Sequence, residues 1–370
     1  MNRYLNRLIE KRLKDLFTYF PVVSVLGARQ VGKSTLIRNV FGDRVKTVVF
    51  DPVKDVGQAR HDPDLFLDHN PPPLFLDEVQ YAPELLAALK RRVDERGTPG
   101  QYILSGSQNL SVVKNISESL AGRVGILHLG SMTFSELTET VKTPCFLEGW
   151  LKGEVREVAK PVHLAWYETV WQGGYPGLLK LPKHLYSTFF DSYVQTYIER
   201  DIRTVAAVGD LQLFGRFFAL LSAMSSCEVN PTQIGRELGI DRKTARHWIA
   251  IAEATYQWVE IPAFSRNSIK RASGKHKGYM TDTGLICHHQ RIPSFDLIPN
   301  HPLQGRLIET WVVMEFIKRI QSWNAQPGFY HYRSHQGAEV DLILEWGGKL
   351  FPVEIKCSSN PTRRNGNRDH

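Results

Sequence analysis

The chain has 370 residues, 42% hydrophobic and 23% charged, which is typical of a globular protein with two or three domains. Its 46 Lys and Arg residues exceed its 38 Asp and Glu residues, so the formal net charge of +8 is compatible with a polyanionic partner. Four widely separated cysteines without a C-x-x-C pair argue against a disulfide scaffold and a zinc ribbon and favour a reducing cytoplasm. Because no apolar run approaches about 18 residues and the N-terminus is charged, we expect neither membrane insertion nor export.

Short apolar runs alternate with helix-compatible segments over the first 135 residues. The predicted strands are Val22–Leu26, Thr47–Phe50, Leu74–Asp77, Gln101–Ser105 and Gly125–Leu129. Apolar strands separated by helices, such as the one predicted at Pro83–Arg96, indicate a parallel sheet with helices on both faces, an α/β fold. Beyond about Thr133 the pattern changes to long helices, including Lys183–Ile202 and Asp210–Met224.

A glycine-rich segment follows the first predicted strand and matches the pattern G-x-x-x-x-G-K-[ST]. Glycines allow several backbone N–H groups to converge on one phosphate, and the helix that follows adds its positive N-terminal end. Lys33 is expected to reach the β- and γ-phosphates of ATP, and the Ser34 hydroxyl to bind Mg²⁺. The alternative is a glycine-rich turn that matches by chance. The predicted nucleotide-binding residues are Gly27, Ala28, Arg29, Gln30, Val31, Gly32, Lys33, Ser34 and Thr35.

Two carboxylates end the apolar strand that starts at Pro73. Ligands lie at the carboxyl ends of parallel strands, so Asp77 and Glu78 fit a Walker B element. Asp77 is expected to hold Mg²⁺ through water, and Glu78 to orient and polarise the attacking water. The alternative is that both acids cap the helix that follows, since acidic side chains favour helix N-termini.

Three further residues are candidates for roles at the γ-phosphate. Ser107 and Asn109 follow the next strand and could act as a sensor of the phosphate or the water, and the sequence does not distinguish them. Arg123, between a helix and the last strand, is expected to neutralise transition-state charge in a neighbouring subunit, which requires an oligomer. The alternative for Arg123 is a structural ion pair.

Three downstream segments accompany these motifs: Gln172–Pro176, Tyr193–Asp201 and Tyr279–Leu285. With them, most of the chain resembles the prokaryotic AAA+ ATPases that carry a C-terminal domain of uncharacterised function with a restriction-endonuclease-like end. The segment Tyr193–Asp201 is the most specific part of this resemblance. It implies binding and hydrolysis of ATP through Lys33, Ser34, Asp77 and Glu78, and it leaves the biological task open.

A helix-turn-helix is predicted between Thr232 and Ile249, with Gly239 at the turn and Asp241 capping the second helix. Residues 230–290 hold nine basic and five acidic groups, and the strand-like segments Trp258–Ile261 and Gly278–Met280 enclose a basic stretch, as in a winged helix. DNA is the expected partner, and packing with solvated charges is the alternative. The predicted DNA-contacting residues are Arg242, Lys243, Arg246, Lys270 and Arg271.

The last segment has the pattern of PD-(D/E)-x-K nucleases. An acid lies at the start of one apolar strand, and Glu354 and Lys356 form E-x-K on the next. Asp341 and Glu354 are expected to hold Mg²⁺, Lys356 to support the nucleophile or the developing charge, and Glu309 to be the upstream acid. The alternative is a solvated face on a fold that does not cut DNA. Because only 14 residues follow Lys356, we expect this domain to be incomplete.

Two adjacent histidines beside a cysteine form one further candidate cluster. His288 and His289 stand beside Cys287. Neighbouring residues face different directions in a helix or a strand, which argues against a shared metal site. We expect a surface loop there.

These observations divide the chain into four units. Residues 1–135 are expected to form a P-loop AAA+ domain, 136–225 a helical connection, 226–285 a winged helix-turn-helix, and 286–370 an endonuclease-like α/β domain. The favoured function is a cytoplasmic, Mg²⁺-dependent ATPase that controls a DNA-contacting C-terminal half. Other copies of the chain are expected as partners in a homo-oligomer. Two alternatives stay open: a nucleotide-dependent protein-interaction switch without significant turnover, and a Mg²⁺-dependent DNA nuclease.

Overall fold

The computed structural model describes residues 4–50, 56–106, 120–143, 145–154, 166–202, 210–267, 271, 274–334 and 337–357. Three residues with predicted roles, Ser107, Asn109 and Lys270, lie outside these ranges. Within the described residues, no helix has both the length and the apolar character needed to cross a membrane.

A five-stranded parallel sheet forms the N-terminal part of the chain. Its strands are β1 (Val22–Leu26), β2 (Lys46–Val49), β3 (Leu74–Asp77), β4 (Tyr102–Gly106) and β5 (Val124–His128), in the order β2-β3-β4-β1-β5. The helices of this part are α1 (Glu10–Tyr19), α2 (Lys33–Phe41), α3 (Val56–His61), α4 (Pro63–His69) and α5 (Leu85–Arg96). Every predicted strand overlaps an observed one with bounds that differ by at most one residue, because strands buried on both faces are continuous apolar runs. The predicted α/β class is confirmed.

The strand order determines which turns are neighbours. Strand β1 lies between β4 and β5, and β4 separates β1 from β3. All five strands run in one direction, so the turn after β1, the residues after β3 and the carboxyl end of β4 lie at the same edge of the sheet. Arg123 precedes β5 and therefore lies at the opposite edge.

Helices dominate the next hundred residues. They are α6 (Phe134–Leu137), α7 (Phe146–Lys152), α8 (Trp166–Gln172), α9 (Tyr186–Thr196) and α10 (Leu211–Ala223). Single 3₁₀ turns occupy Pro176–Lys180 and Lys183–Leu185, and a π-helical turn at Tyr197–Ile202 continues α9. The two long helices predicted here are thus observed with nearly the predicted extents.

A pair of helices and an antiparallel sheet follow. Helix α11 (Pro231–Leu238) and helix α12 (Arg242–Ala254) are joined by Gly239 in a left-handed conformation (φ 72°). The Asp241 carboxylate accepts hydrogen bonds from the backbone N–H groups of Lys243 (2.7 Å) and Thr244 (2.9 Å), as an N-cap does. Strands β6 (Cys227–Glu228), β7 (Trp258–Ile261) and β8 (Lys277–Met280) form a sheet in the order β6-β8-β7.

The C-terminal part contains helix α13 (Thr283–His289), a 3₁₀ turn at Phe295–Asn300, the long helix α14 (Gln304–Gln321), and a three-stranded antiparallel sheet. That sheet consists of β9 (Gly328–Arg333), β10 (Glu339–Trp346) and β11 (Lys349–Val353), with β11 at an edge. Glu354 and Lys356 were expected within the last strand, but they follow its end. The expected surface loop at His288 and His289 is wrong, because both belong to α13, where Cys287 is buried.

Packing joins these parts through three apolar cores. One covers one face of the parallel sheet and continues through α9, α10 and the helix pair to α13. A second covers the other face of the parallel sheet. The third joins α7 to the middle of α14 and to the C-terminal sheet, including Leu342 and Leu344. Helix α7 therefore packs with the C-terminal sheet, whose first strand begins at Gly328, far along the chain.

Candidate functional site

The turn after β1 has a backbone that requires glycine at two positions. A Cβ atom on Gly27 would lie 2.1 Å from the carbonyl oxygen of Leu129, an approach that no side chain tolerates. Gly32 has a φ of 95°, in the left-handed region that favours glycine, and it precedes the first residue of α2. The turn thus wraps closely against the end of β5 and delivers its last N–H groups at a helix N-terminus, as phosphate binding requires.

Lys33 is buried at the start of α2, and only 5% of the residue is exposed. Its ammonium donates hydrogen bonds to the carbonyl oxygens of Gly27 (2.9 Å) and Ala28 (2.8 Å). A buried ammonium needs such partners to offset its lost hydration. The positive charge is therefore held directly over the turn where phosphates are expected.

The end of β3 brings two carboxylates to the same edge. Asp77 is buried at the last position of the strand, and Glu78 has a left-handed conformation (φ 59°, ψ 46°) immediately after it. The Ser105 hydroxyl donates to Asp77 Oδ1 and accepts a hydrogen bond from the backbone N–H of Glu78 at 3.1 Å. The Gln80 side-chain amide donates to Glu78 Oε2.

A cavity of about 640 Å³ lies over the turn. Lys33, Ser34 and Glu78 line it together with the neighbouring turn residues Gln30 and Gly32, so one cavity contains groups from the turn, from α2 and from the end of β3. The opposite walls are mostly apolar or basic and come from three other parts of the chain: Tyr4, Leu5, Arg7, Met132, Pro176, Gly177, Leu179 and Lys180. A volume of this size suits a ligand as large as a nucleotide.

Arg7 connects the glycine-rich turn to the rest of the protein. Its guanidinium is buried and donates to the carbonyl oxygens of Val31 (2.8 Å) and Gly130 (2.7 Å). The same group forms an ion pair with Glu136 at 3.2 Å. Beside Gly130, the Ser131 hydroxyl accepts a hydrogen bond from Lys318 of α14 at 2.9 Å. The turn is therefore linked to the C-terminal helix through two intervening side chains.

Two of the family-like segments meet beside the cavity. The Asp282 carboxylate accepts hydrogen bonds from the N–H groups of Gly174 and Gly284, both at 2.9 Å. A Cβ on Gly173 would lie 2.0 Å from that carboxylate, and one on Gly174 would lie 2.2 Å from the Met132 carbonyl oxygen. This close packing requires both glycines and places the following Pro176 at the cavity wall.

Arg123 is held in an ion pair. Its guanidinium binds both carboxylate oxygens of Asp94 and donates to the Ala121 carbonyl oxygen at 2.9 Å. Both side chains are partly exposed, at the edge of the sheet opposite the cavity. Of the two predictions for Arg123, these contacts match the ion pair, and a role in a neighbouring subunit stays a prediction.

The basic residues predicted to bind DNA have different surroundings. Arg242 and Lys243 are exposed in the first turn of α12. Arg246 is exposed as well, but it is paired with Glu260 at 2.8 Å. Arg271 is packed over the rings of Phe264 and Tyr330 and donates to the Tyr330 hydroxyl (2.9 Å). Among the described residues predicted to bind DNA, the exposed positive charge therefore lies mainly on the first turn of α12.

The predicted nuclease residues are split between two places. Glu309 and Asp341, together with Glu339, surround the buried ammonium of Lys277, at 2.6 Å, 3.7 Å and 3.0 Å respectively. Asp341 also accepts a hydrogen bond from the N–H of Ile355 at 2.8 Å. Glu354 lies outside this cluster and is paired with Lys356. Within the described residues, no group of three or more His, Cys, Asp or Glu side chains is arranged to hold a metal ion.

Several residues that contribute to the site carry no motif of their own in the sequence. Ser105 precedes the residues predicted to act as a sensor, and Arg7 lies 20 residues before the glycine-rich turn. A serine in an apolar strand and an arginine in a charged N-terminal segment are both ordinary, so the sequence pattern marks neither residue. Pro176 differs, because it follows a glycine pair in a segment that resembles the family. The sequence alone predicts no role for that segment.

Comparisons with known proteins agree with this arrangement. Residues 19–138 match a family described as AAA domain, residues 164–296 match a domain of unknown function (DUF8612), and residues 304–367 match another domain of unknown function (DUF4143). The uncharacterized proteins Mb2031c of Mycobacterium bovis and Rv2008c of Mycobacterium tuberculosis are each 27% identical to the chain over 353 residues, 95% of this chain and 74% of each relative.

Among solved structures, the Walker-type ATPase PABY2304 of Pyrococcus abyssi aligns with a TM-score of 0.47 and 15% identity, over 76% of this chain and 94% of that one. The parallel sheet, the glycine-rich turn at its carboxyl edge and the family match to residues 19–138 are mutually consistent. The chain thus contains an AAA domain at residues 19–138, followed by two regions that match domains of unknown function.

Proposed function

We propose that the protein binds Mg²⁺-ATP in the cavity over the glycine-rich turn and hydrolyses it, and that the nucleotide controls a DNA-contacting C-terminal half. The observation that carries the proposal is the single cavity lined by Lys33, Ser34 and Glu78, with Asp77 at the adjacent strand end. The residues fit the nucleotide, because the turn approaches Leu129 too closely for any side chain at Gly27 and ends at a helix N-terminus.

Each residue has a role that follows from its position. The backbone N–H groups of the turn and the Lys33 ammonium hold the phosphates, and Lys33 exchanges its carbonyl partners for phosphate oxygens. Ser34 and Asp77 provide oxygen ligands of the kind that Mg²⁺ prefers. Glu78 orients the attacking water. Bound Mg²⁺ would neutralise charge that develops on the phosphates. Apolar walls at Leu5 and Pro176 exclude water and contact the base.

Turnover of ATP by the wild type and by Glu78→Gln tests the hydrolysis. We expect the substitution to lower turnover by about 10²- to 10⁴-fold, the usual contribution of a positioned general base, while ATP affinity stays similar. Lys33→Ala serves as the binding control and should weaken ATP binding itself. Equal turnover in the wild type and Glu78→Gln would remove Glu78 from catalysis. Tight binding with no turnover in the wild type would instead support a nucleotide-dependent switch.

DNA contact is the second part of the proposal, and the first turn of α12 supports it. Arg242 and Lys243 are exposed at the N-terminus of the second helix of a helix-turn-helix pair, the part that enters the major groove in such motifs. The sheet of β6, β7 and β8 beside this pair has the arrangement expected of a winged helix.

The salt dependence of duplex binding tests this contact. Replacing Arg242 and Lys243 by Ala removes two phosphate-neutralising charges, so the slope of log K against log salt should become shallower by about 2. Arg246→Ala is the matched control, one turn further along the same helix, and should change the slope less because Glu260 already pairs with it. An unchanged slope in the double variant would exclude this turn as the DNA contact.

A further inference from the structure

Ser105 bridges the two acidic residues at the end of β3. It is fully buried, and its hydroxyl donates to Asp77 Oδ1 while it accepts the backbone N–H of Glu78 at 3.1 Å. One hydroxyl thus contacts the carboxylate predicted to hold the metal and the backbone of the residue predicted to orient the water. Neither Ser107 nor Asn109, the predicted sensors, is needed for this bridge.

The strand register explains why a side chain makes this contact. Backbone pairing between β3 and β4 ends at Leu76 and Leu104. Immediately beyond that point, Glu78 adopts a left-handed backbone conformation, which is uncommon for a residue with a side chain. Its N–H donates to the hydroxyl of Ser105, the next residue of β4. The bridge therefore stabilises a strained backbone at the position where the carboxylate of Glu78 must be placed.

We propose that Ser105 is a positioning residue for ATP hydrolysis: it fixes the orientation of the Asp77 carboxylate and the backbone of Glu78. This inference rests on the proposed hydrolysis of ATP. Because the hydroxyl occupies Oδ1 of Asp77, the other carboxylate oxygen is the one left for the metal side of the site. A carboxylate free to rotate and a shifted Glu78 would misplace the metal ligand and the water while the phosphate-binding turn stays unchanged.

Ser105→Ala separates these effects. We expect the turnover number to fall by about 10- to 100-fold, the range expected when a catalytic group is misplaced by about 1 Å. The affinity for ATP without Mg²⁺ should stay within about twofold, because Lys33 and the turn are untouched. Ser105→Thr retains the hydroxyl and should recover most of the turnover. A purely structural role would weaken ATP binding and turnover together.

Ser24→Ala is the matched control. Ser24 is also fully buried, in the adjacent strand β1, and within the described residues its hydroxyl has no hydrogen-bond partner. The same atoms are removed from the same sheet, so a loss of turnover in Ser24→Ala as large as in Ser105→Ala would overturn the proposal. Wild-type turnover in Ser105→Ala would overturn it as well.

A second measurement keeps the test independent of turnover. We expect Mg²⁺ to increase the ATP affinity of the wild type and of Ser24→Ala, and to increase that of Ser105→Ala much less, because Asp77 is no longer oriented. If the wild type does not hydrolyse ATP, the proposed function fails, while this Mg²⁺ effect still decides the role of Ser105. Equal Mg²⁺ effects in all three proteins would contradict it.

Discussion

The Lys277 ammonium lies 2.6 Å from Glu309 Oε1, although Lys277 belongs to β8 and Glu309 to α14. Only 4% of the lysine side chain is exposed. Burial alone would lower the pKa of Lys277, but attraction to Glu309 and hydrogen bonds to Glu309 and Glu339 outweigh it and raise that pKa above its ordinary value. The ammonium therefore stays charged and serves as the internal cation of a carboxylate cluster that includes Asp341, one of the two residues predicted to hold a metal, and Glu309, the predicted upstream acid.

Removing this ammonium should destabilise the C-terminal part. Lys277→Ala leaves three carboxylates close together without a counter-charge, and breaking a buried ion pair in this way costs about 3–5 kcal/mol. Lys275→Ala is the matched control, since that side chain is 76% exposed and its pair with Glu228 is worth about 0–1 kcal/mol. Hydrogen exchange over β8 and β10 measures the local effect. Equal protection in both variants would contradict the role assigned to Lys277.

The raised pKa of Glu315 predicts that the free energy of unfolding depends on pH. Burial raises its pKa from 4.5 to about 7, against the opposing effects of Lys318, Arg319 and the N–H of Phe134, while Glu136 adds to the rise. Between pH 4.5 and 7 the folded state holds a proton that the unfolded state has lost. The contribution of Glu315 to stability therefore falls as pH rises, by about 3 kcal/mol across this window.

Glu315→Gln removes this titration and keeps an oxygen acceptor for the N–H of Phe134, which lies 3.0 Å from the carboxylate. The stability of this variant relative to the wild type should rise from pH 5 to pH 8, as measured by urea unfolding at each pH. A difference in stability that does not change with pH would show that Glu315 is ionised in the folded protein throughout the range.

Gly27→Ala tests the shape of the phosphate-binding turn. The added Cβ would lie 2.1 Å from the Leu129 carbonyl oxygen, so the turn must move away from β5. Such overpacking costs about 1–3 kcal/mol, and we expect ATP affinity to fall about tenfold or more. Gly57→Ala in α3 is the control, since its Cβ would meet no atom within 4 Å. Calorimetric titration with ATP compares the two, and unchanged affinity in Gly27→Ala would refute the predicted binding turn.

Arg123→Ala distinguishes the two predictions for this residue. Because Asp94 holds the guanidinium at the far edge of the sheet, we expect turnover per chain to be unchanged over a wide range of protein concentration. Asp94→Ala, which frees the guanidinium, is the companion variant. Turnover that rises with protein concentration in the wild type and is lost in Arg123→Ala would establish instead that Arg123 acts on a neighbouring subunit.

The parallel sheet could be predicted almost to the residue, because strands buried on both faces, such as Val22–Leu26 and Leu74–Asp77, leave continuous apolar runs. The helix pair was equally visible, since Gly239 and Asp241 mark the turn and the cap that the structure shows. Both features depend on local chemistry. The predicted surface loop at the two histidines is wrong because the burial of α13 depends on the segments that pack around it. Adjacent polar residues in the sequence do not reveal that burial.

The site was predictable only where a motif marks it. The glycine-rich turn and the acids after β3 have such motifs, whereas Arg7 and Ser105 act through contacts that form only after distant segments fold together. The same limitation explains why the surroundings of Lys277 were not predicted. The sequence shows Lys277 only as the end of a basic stretch, whereas in the structure it is buried in β8, and β10 and α14 supply its carboxylates.

Helix α14 carries Glu309 near one end and Lys318 near the other, about 14 Å apart along the axis at 1.5 Å per residue. Through Ser131, Gly130 and Arg7, the second of these residues is connected to Val31 in the glycine-rich turn. The same helix therefore contacts both the hydrogen-bonded chain that reaches the glycine-rich turn and the ion-pair cluster around Lys277. Two distant parts of the sequence thus share one continuous structural element.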